Sequence, residues 1–251
     1  MFKIAIIGKG NVGSHLNHYF RNIPEFIVNS VDSRTLQGLQ GDEDLNIIAV
    51  SDHAIGEVAG RIVKRLPSYD KIVVHTSGSV SIKVLQPYFD NYGVFYPLQT
   101  FSKDVSQERY NEIPLFVEGS SPVLTEKLIS IGRLAFDKVY ELTSDVREKL
   151  HLAAVFSCNF VNAMYGAAET LLKDNEIPFS ILHPLIMQTA LKALDRSPRE
   201  CQTGPAVRGN KDVMSHHMEF LKAQYPELSV LYSEISDYII DSHQCDVNSE
   251  H

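Results

Sequence analysis

The sequence predicts an α/β chain: a doubly wound, mostly parallel sheet over residues 1–142, followed by an all-helical C-terminal domain over residues 143–251. Three observations carry this expectation. Short β-branched runs alternate with stretches of helical period through the first half. The strand-like runs stop near Thr143, and only helical segments follow. The first run ends in a glycine-rich hexapeptide, GKGNVG, that leads into a helical stretch. Alternating strands and helices pack as a parallel sheet covered on both faces, and ligands bind at the carboxyl ends of its strands.

The elements follow in order. KIAIIG (Lys3–Gly8) reads as a buried strand, and GSHLNHYFRNI places Leu16, Tyr19, Phe20 and Ile23 at helical spacing. FIVNSVDS (Phe26–Ser33), LNIIAVSD (Leu45–Asp52) and KIVVHTSG (Lys71–Gly78) are further strands, with the helical AIGEVAGRIVKRL between the last two. YGVFYPLQ and IPLFVEG continue the strands. SPVLTEKLISIGRLAF begins with Ser121 as N-cap and Pro122 at the first helical position, and DKVYEL (Asp137–Leu142) closes the series. Thr143–Asp174 reads as one long helix, with Thr143, Ser144 and Asp145 all acceptable N-caps and Glu148 three after Asp145, as a capping box requires. A second helical segment over residues 175–198 contains Pro184 near its start, CQTGPAVRGN (Cys201–Asn210) is a loop, and two more helices follow.

The 251 residues carry a net charge of -8, so nucleic-acid binding through a basic surface is not expected. Cys158, Cys201 and Cys245 match neither a disulfide framework nor a zinc pattern, which fits a reducing cytoplasm. His216 and His217 are adjacent and diverge on a helix, so no metal site is expected, and His15 and His18 are assigned no chemistry. No apolar run approaches the roughly 20 residues of a membrane span, and the short apolar N-terminus is not a signal peptide. The terminal DSHQCDVNSEH reads as a frayed or partner-dependent tail.

GKGNVG supplies Gly8, Gly10 and Gly13, with Lys9, Asn11 and Val12 between them. After a strand and before a helix this is a dinucleotide-binding signature: the first glycine makes the turn, the second admits a pyrophosphate, and the third lets helix and strand pack. Free N–H groups at the helix start favour the phosphates. Asp32 lies near the spacing of an acid that binds a ribose 2′-OH and favours NAD. Ser33, Arg34 and Thr35 follow at once, and a guanidinium between two hydroxyls suits a 2′-phosphate. NADP is therefore favoured over NAD. The strand ends Val50–Ser51 and Thr76–Gly78 are expected to line the same cleft.

LHLAAVFSCNFVNAMYGAA (Leu150–Ala168) carries an uncharged polar face. With His151 at zero on a uniform wheel, Asn162 falls at about 20° and Asn159 at about 80°, whereas Phe156 and Phe160 lie opposite. Such a face suits an enclosed cleft or an interface.

GKGNVG, AVSDHAI, HTSGSV, FYPLQTF, LHLAAVFSCNF and QTGPAVRGN together make the whole chain resemble the Rossmann-like proteins with a DUF2520 domain. These belong to the 6-phosphogluconate dehydrogenase-like superfamily, with pyrroline-5-carboxylate reductase, ketopantoate reductase and F420-dependent NADP reductase. In hydroxyacid and ketopantoate relatives the first long helix after the Rossmann domain carries a catalytic Lys and, four residues on, a substrate-binding Asn. Asn159 matches that Asn, and the Lys falls on Val155. His151, one turn earlier, is the group near neutral pKa available for proton transfer. Ser77-Gly78 resembles the relatives' Ser-Gly facing the nicotinamide. Gln99, Thr100 and Ser102 follow another strand into the cleft, Asn162 shares the polar face, and Arg208 is a candidate grip for a carboxylate or phosphate. Where the family suggests Asp at the end of that loop, this chain has Asn210.

The resemblance implies an NADP-dependent oxidoreductase passing hydride between nicotinamide and a small carbonyl or imine acid, ketopantoate-reductase-like in type. His151, Asn159 and Ser77 would act at the substrate, and the helical domains would form a homodimer. The alternative is an NADP-binding sensor or scaffold without catalysis, for which the missing Lys speaks.

Overall fold

A computed structural model describes residues 1–68, 71–103 and 110–247, with side chains described as far as His243. The strands are β1 (Phe2–Ile7), β2 (Phe26–Val31), β3 (Leu45–Ile48), β4 (Ile72–His75), β5 (Tyr92–Pro97), β6 (Leu115–Gly119) and β7 (Val139–Glu141). They form one sheet in the order β2-β1-β3-β4-β5-β6-β7. The first five are parallel; β6 runs antiparallel to β5, and β7 runs parallel to β6. The order reverses direction at β1, with β2 on one side and β3 on the other. That switch point is where the carboxyl ends of such strands open a crevice.

Side-chain alternation divides the core into two layers. Ile4 and Ile6 pack with Leu16 and Phe20 of α1 (Asn11–Phe20) and Leu128 of α3 (Pro122–Gly132). Ala5 and Ile7 turn the other way, toward Ile55, Ala59 and Ile62 of α2 (Ile55–Ile62). Every residue of β3 and β4 is buried, as expected of central parallel strands. The expected cap of α3 forms: the Ser121 Oγ accepts the Leu124 N–H at 3.2 Å, with Pro122 at the first position. His15 on α1 is wholly buried and structural, bonded to the Tyr110 hydroxyl and the Ser102 carbonyl, both at 2.9 Å.

The long helix expected over residues 143–174 is interrupted. It consists of α4 (Ser144–Ala154), a π-helical turn over Val155–Phe160, and α5 (Val161–Lys173). The wider π turn breaks the uniform phase, so the polar face read from the wheel does not continue unchanged past Val155. Of the three expected N-caps the helix starts on Thr143, without side-chain capping, so Asp145 lies inside the first turn and is not the cap of a box; the Ser144 hydroxyl donates to Glu118 at 2.7 Å.

The chain forms two compact units, Met1–Phe160 and Val161–His251. The strands end at Glu141, close to the boundary read at 142/143, but α4 and the π turn belong to the sheet unit. The second unit contains α5, α6 (His183–Asp195), α7 (Lys211–Gln224) and α8 (Pro226–Val247). Asn210 caps α7, its Oδ1 accepting the Val213 N–H at 3.3 Å. The terminal stretch read as a tail is helical through Val247; residues 248–251 and the Cys245 side chain lie outside the described part. No residue of α5 or α6 is buried. No described helix is long and apolar enough to cross a membrane.

Candidate active site

A cleft of about 640 Å³ opens at the carboxyl ends of β1 to β4. Of the residues predicted to bind a nucleotide, Gly8, Lys9, Gly10, Asn11, Val12, Ser33, Arg34, Val50, Ser51 and Thr76 line it. The three glycines answer different demands. At Gly8 φ is +126°, and a Cβ would stand 2.1 Å from the Ala49 carbonyl oxygen. At Gly13 a Cβ would stand 2.3 Å from the Gly8 carbonyl oxygen. Packing therefore explains both. At Gly10 a Cβ would meet nothing within 4 Å, so the fold does not require glycine there. The open space matches a group that approaches the main chain from the cleft, as a pyrophosphate does. Gly10 is also the N-cap of α1 and makes no side-chain cap, so the first N–H groups of the helix remain for an anion. The residues thus fit a dinucleotide.

Asp32 is occupied by its own turn. Its Oδ1 accepts the Arg34 and Thr35 N–H groups, both at 2.9 Å, and the Thr35 hydroxyl at 3.1 Å. The Thr35 and Arg34 N–H groups hold its carboxyl below the usual range. Thr35 is spent on this turn and does not line the cleft. Ser33 and Arg34 do, joined by Arg61 from α2, which the sequence reading missed.

A second cavity, of about 430 Å³, lies beyond the end of β5. Tyr96, Gln99, Thr100, His151, Ser157, Cys158 and Asn159 contribute to its wall. The π turn supplies three of these residues, so the interruption of the helix is what presents Ser157 through Asn159. The Tyr96 hydroxyl lies 3.0 Å from His151 Nδ1. Gly78, predicted at the cofactor, sits against the imidazole: a Cβ there would fall 2.5 Å from Nδ1. Ser77 is buried, and its Oγ accepts the Ser79 and Val80 N–H groups at 3.1 Å, so the hydroxyl shapes the loop.

The seat of His151 depends on a buried ion pair one helical turn earlier. Arg147 is fully buried; its Nη1 donates to Glu118 Oε2 at 2.6 Å and its Nη2 to the Val80 carbonyl at 2.5 Å. The Ser144 hydroxyl joins the same carboxylate. Together these bonds tie α4 to β6 and to the loop after β4. Beneath that loop, buried His75 accepts the Ser77 N–H on Nδ1 at 3.2 Å. Burial, aided by the Arg147 charge, pushes its pKa down to about 3. Burial also pushes the Tyr96 phenol up to about 12.

Tyr96, Arg147 and Glu118 were missed because each belongs to a separate element and none stands in a motif. Asn162 and Arg208 are exposed on the second unit and line neither cavity. Among the described residues no group of His, Cys, Asp and Glu could hold a metal ion.

The family model "Domain of unknown function (DUF2520)" matches residues 113–239. No curated protein matches the chain significantly. Among solved structures, the chain is similar to a Bacteroides fragilis protein provisionally named an NADP oxidoreductase, with 33% identity and a TM-score of 0.87 over 96% of this chain and 98% of that one. It is similar to a Thermotoga maritima protein at 19% identity and a TM-score of 0.71, over 96% of this chain and 99% of that one. An imine reductase from Myxococcus stipitatus, solved with NADP+, gives 15% identity and a TM-score of 0.62 over 100% of this chain and 96% of that one. The last two share the fold alone.

Proposed function

The chain belongs to the DUF2520 family, and from that premise we propose that it is an NADP-dependent oxidoreductase acting on a small carbonyl or imine acid. One observation carries the cofactor choice. At the end of β2 the carboxylate that would bind a ribose 2′-OH accepts three internal hydrogen bonds on its Oδ1 and does not line the cleft, while Ser33 and Arg34 do. Arg34 is then the partner of the 2′-phosphate. Gly10 and the start of α1 would hold the pyrophosphate. The bound nicotinamide supplies the hydride.

This chain's residues do the rest. His151 holds or delivers the proton at the substrate heteroatom, a role imidazole side chains fill as general acid and base. Asn159 and Gln99 orient the substrate in the cavity they line. Ser77 keeps the loop beneath His151 in shape. A homodimer through the helical unit is part of this proposal, supported by the exposed Leu185, Met187 and Leu191 of α6. The free Cys158 and Cys201 fit a cytoplasmic setting. A catalytically silent NADP-binding sensor is the second reading, favoured by Val155 at the position of the relatives' Lys.

The test is a calorimetric titration with NADPH and NADH, repeated with Arg34→Ala. NADPH binding that the variant weakens tenfold or more, followed by turnover of 2-keto acids or cyclic imines that His151→Ala lowers about a hundredfold or more, is expected. No binding of either nucleotide overturns the reading. Binding without turnover across such a screen moves it to the sensor.

A further inference from the structure

We propose that Tyr96 is a positioning residue that engages Nδ1 of His151 and thereby dedicates Nε2 to the substrate cavity. The inference rests on the proposed proton-transfer role of His151, and its first readout is independent of that role. An imidazole has two nitrogens, and which one meets the substrate is set by what the other one bonds. Here Nδ1 is enclosed. The Tyr96 hydroxyl stands 3.0 Å from it, and Gly78 approaches so closely that even a methyl group would overlap the ring. The two rings meet edge to face, with centroids 6.0 Å apart. His151 also lines the cavity, and its Nε2 makes no hydrogen bond to a described residue.

Tyrosine suits this place for a reason that a carboxylate would not share. A hydroxyl both donates and accepts. Against the neutral ring it donates to Nδ1, which leaves the ring's hydrogen on Nε2. Against the imidazolium it turns and accepts the Nδ1 hydrogen. The contact therefore persists in both protonation states and does not hold the ring in the charged one. Buried Tyr96 keeps its proton across the working range; Arg147 and Asp52 are the charges it feels. In the reductive direction the imidazolium Nε2–H bond breaks and the proton passes to the substrate heteroatom. Bound NADPH would be the reductant, supplying the hydride for the adjacent carbon and leaving as NADP+. The ring is left for that moment with its hydrogen on Nδ1, accepted by the Tyr96 oxygen; Nε2 takes a fresh proton from solvent, and the resting neutral ring forms when the Nδ1 hydrogen is then released and the Tyr96 hydroxyl turns to donate.

The rest of the seat is rigid. Tyr96 is nearly buried on β5, and Arg147 anchors α4 one turn before His151 through Glu118 and the Val80 carbonyl. The hydroxyl and the imidazole are thus each fixed by a different element, and their meeting is a property of the fold.

The experiment is Tyr96→Phe on the full chain. The first readout is long-range 15N–1H NMR of the His151 ring in the resting protein, above its titration. The wild type is expected to show hydrogen on Nε2, with an Nδ1 resonance displaced by an accepted hydrogen bond, and Tyr96→Phe to return Nδ1 to the unbonded position. A wild-type ring protonated on Nδ1, or an Nδ1 resonance that Tyr96→Phe leaves unmoved, overturns the proposal. The second readout is kinetic. Tyr96→Phe should leave NADPH binding and substrate KM unchanged and lower kcat about tenfold, the scale of one lost hydrogen bond. In a His151→Ala background it should have no further effect. An equal loss in both backgrounds would mark Tyr96 as merely structural and overturn the proposal. Absence of any turnover would defeat the oxidoreductase reading and leave the NMR result to decide this one.

Discussion

The nucleotide cleft and the His151 cavity both lie at the carboxyl ends of the strands of one sheet, but they are made of different material. The cleft is largely main chain: a glycine turn, the open start of α1, and strand ends whose side chains matter little except at Ser33 and Arg34. The cavity is assembled from separate elements, β5 and the segment that follows it, α4 and the π turn, and its imidazole sits one turn from the Arg147–Glu118 pair. The difference teaches where each site is vulnerable. A main-chain site fails when a side chain is added; a side-chain site fails when a distant anchor is removed.

The sharpest way to break the comparison is Arg147→Met. It strands Glu118 in a largely buried setting, and breaking such a pair costs about 3–5 kcal/mol. Thermal melting should fall by roughly 10 °C, on the scale of 2–4 °C per kcal/mol for a chain of this size. Arg147→Met with Glu118→Leu should recover much of the loss without restoring turnover. If the single variant melts like the wild type, the anchor does not support the cavity.

Acid should act on the cavity side next. The folded pKa of His75, about 3, lies below its unfolded value. The unfolded chain therefore binds the extra proton first, and stability is lost as pH falls from about 6.5 toward 3. Down to pH 4 this corresponds to a loss on the order of 3 kcal/mol, at 1.36 kcal/mol per unit. Denaturant titrations from pH 7 to pH 4 should show this slope, and His75→Gln should flatten it; an unchanged slope in the variant would assign it elsewhere.

Gly10→Val probes the cleft from the opposite side. A Cβ there meets no protein atom within 4 Å, so the stability loss should be confined to replacing the N-cap glycine, about 1 kcal/mol or a few degrees of melting. NADPH affinity should drop by about a hundredfold, near 3 kcal/mol, because the side chain takes the place of the phosphates. A stable variant that still binds would mean that the nucleotide lies elsewhere. The smallest effect is selective. Arg34→Ala should weaken NADPH by roughly 10-fold, about the worth of a charge-assisted bond, and leave NADH unchanged. Equal losses for both nucleotides would point to an adenine contact.

The same contrast explains how much the sequence disclosed. GKGNVG after a β-branched run announces a main-chain site, because glycine spacing is itself the geometry. The alternation of strands with helices and the helical second half followed from periodicity; the strand order did not, and is a property of the folded sheet. SVDSRT contained the cofactor choice, but only folding showed that Asp32 is taken up by the Arg34 and Thr35 N–H groups and that Thr35 is taken up with it. His151 and Asn159 stood out as polar residues on an apolar helix, and both line the cavity. The pairing with Tyr96 spans 55 residues and depends on sheet register, which no local pattern encodes. The π turn was invisible for a related reason: VFSCNF carries no proline or glycine to mark it, and a uniform wheel runs straight through it. Arg147 looked like one more charge in the first turns of a helix, and its burial is a tertiary fact.

The closeness of Gly78 to His151 has a consequence for the inheritance of change in this protein. No residue larger than glycine fits at 78 while an imidazole stands at 151. Remove the imidazole and the two nearest contacts go with it, while the Cβ of residue 151, 2.9 Å from the added carbon, stays. Gly78→Ala should thus be harmful in the native background and less harmful once His151 is alanine, a dependence that a double-mutant cycle reads directly. The two positions constrain each other: for as long as the histidine keeps this seat, the neighbouring position has room for hydrogen alone.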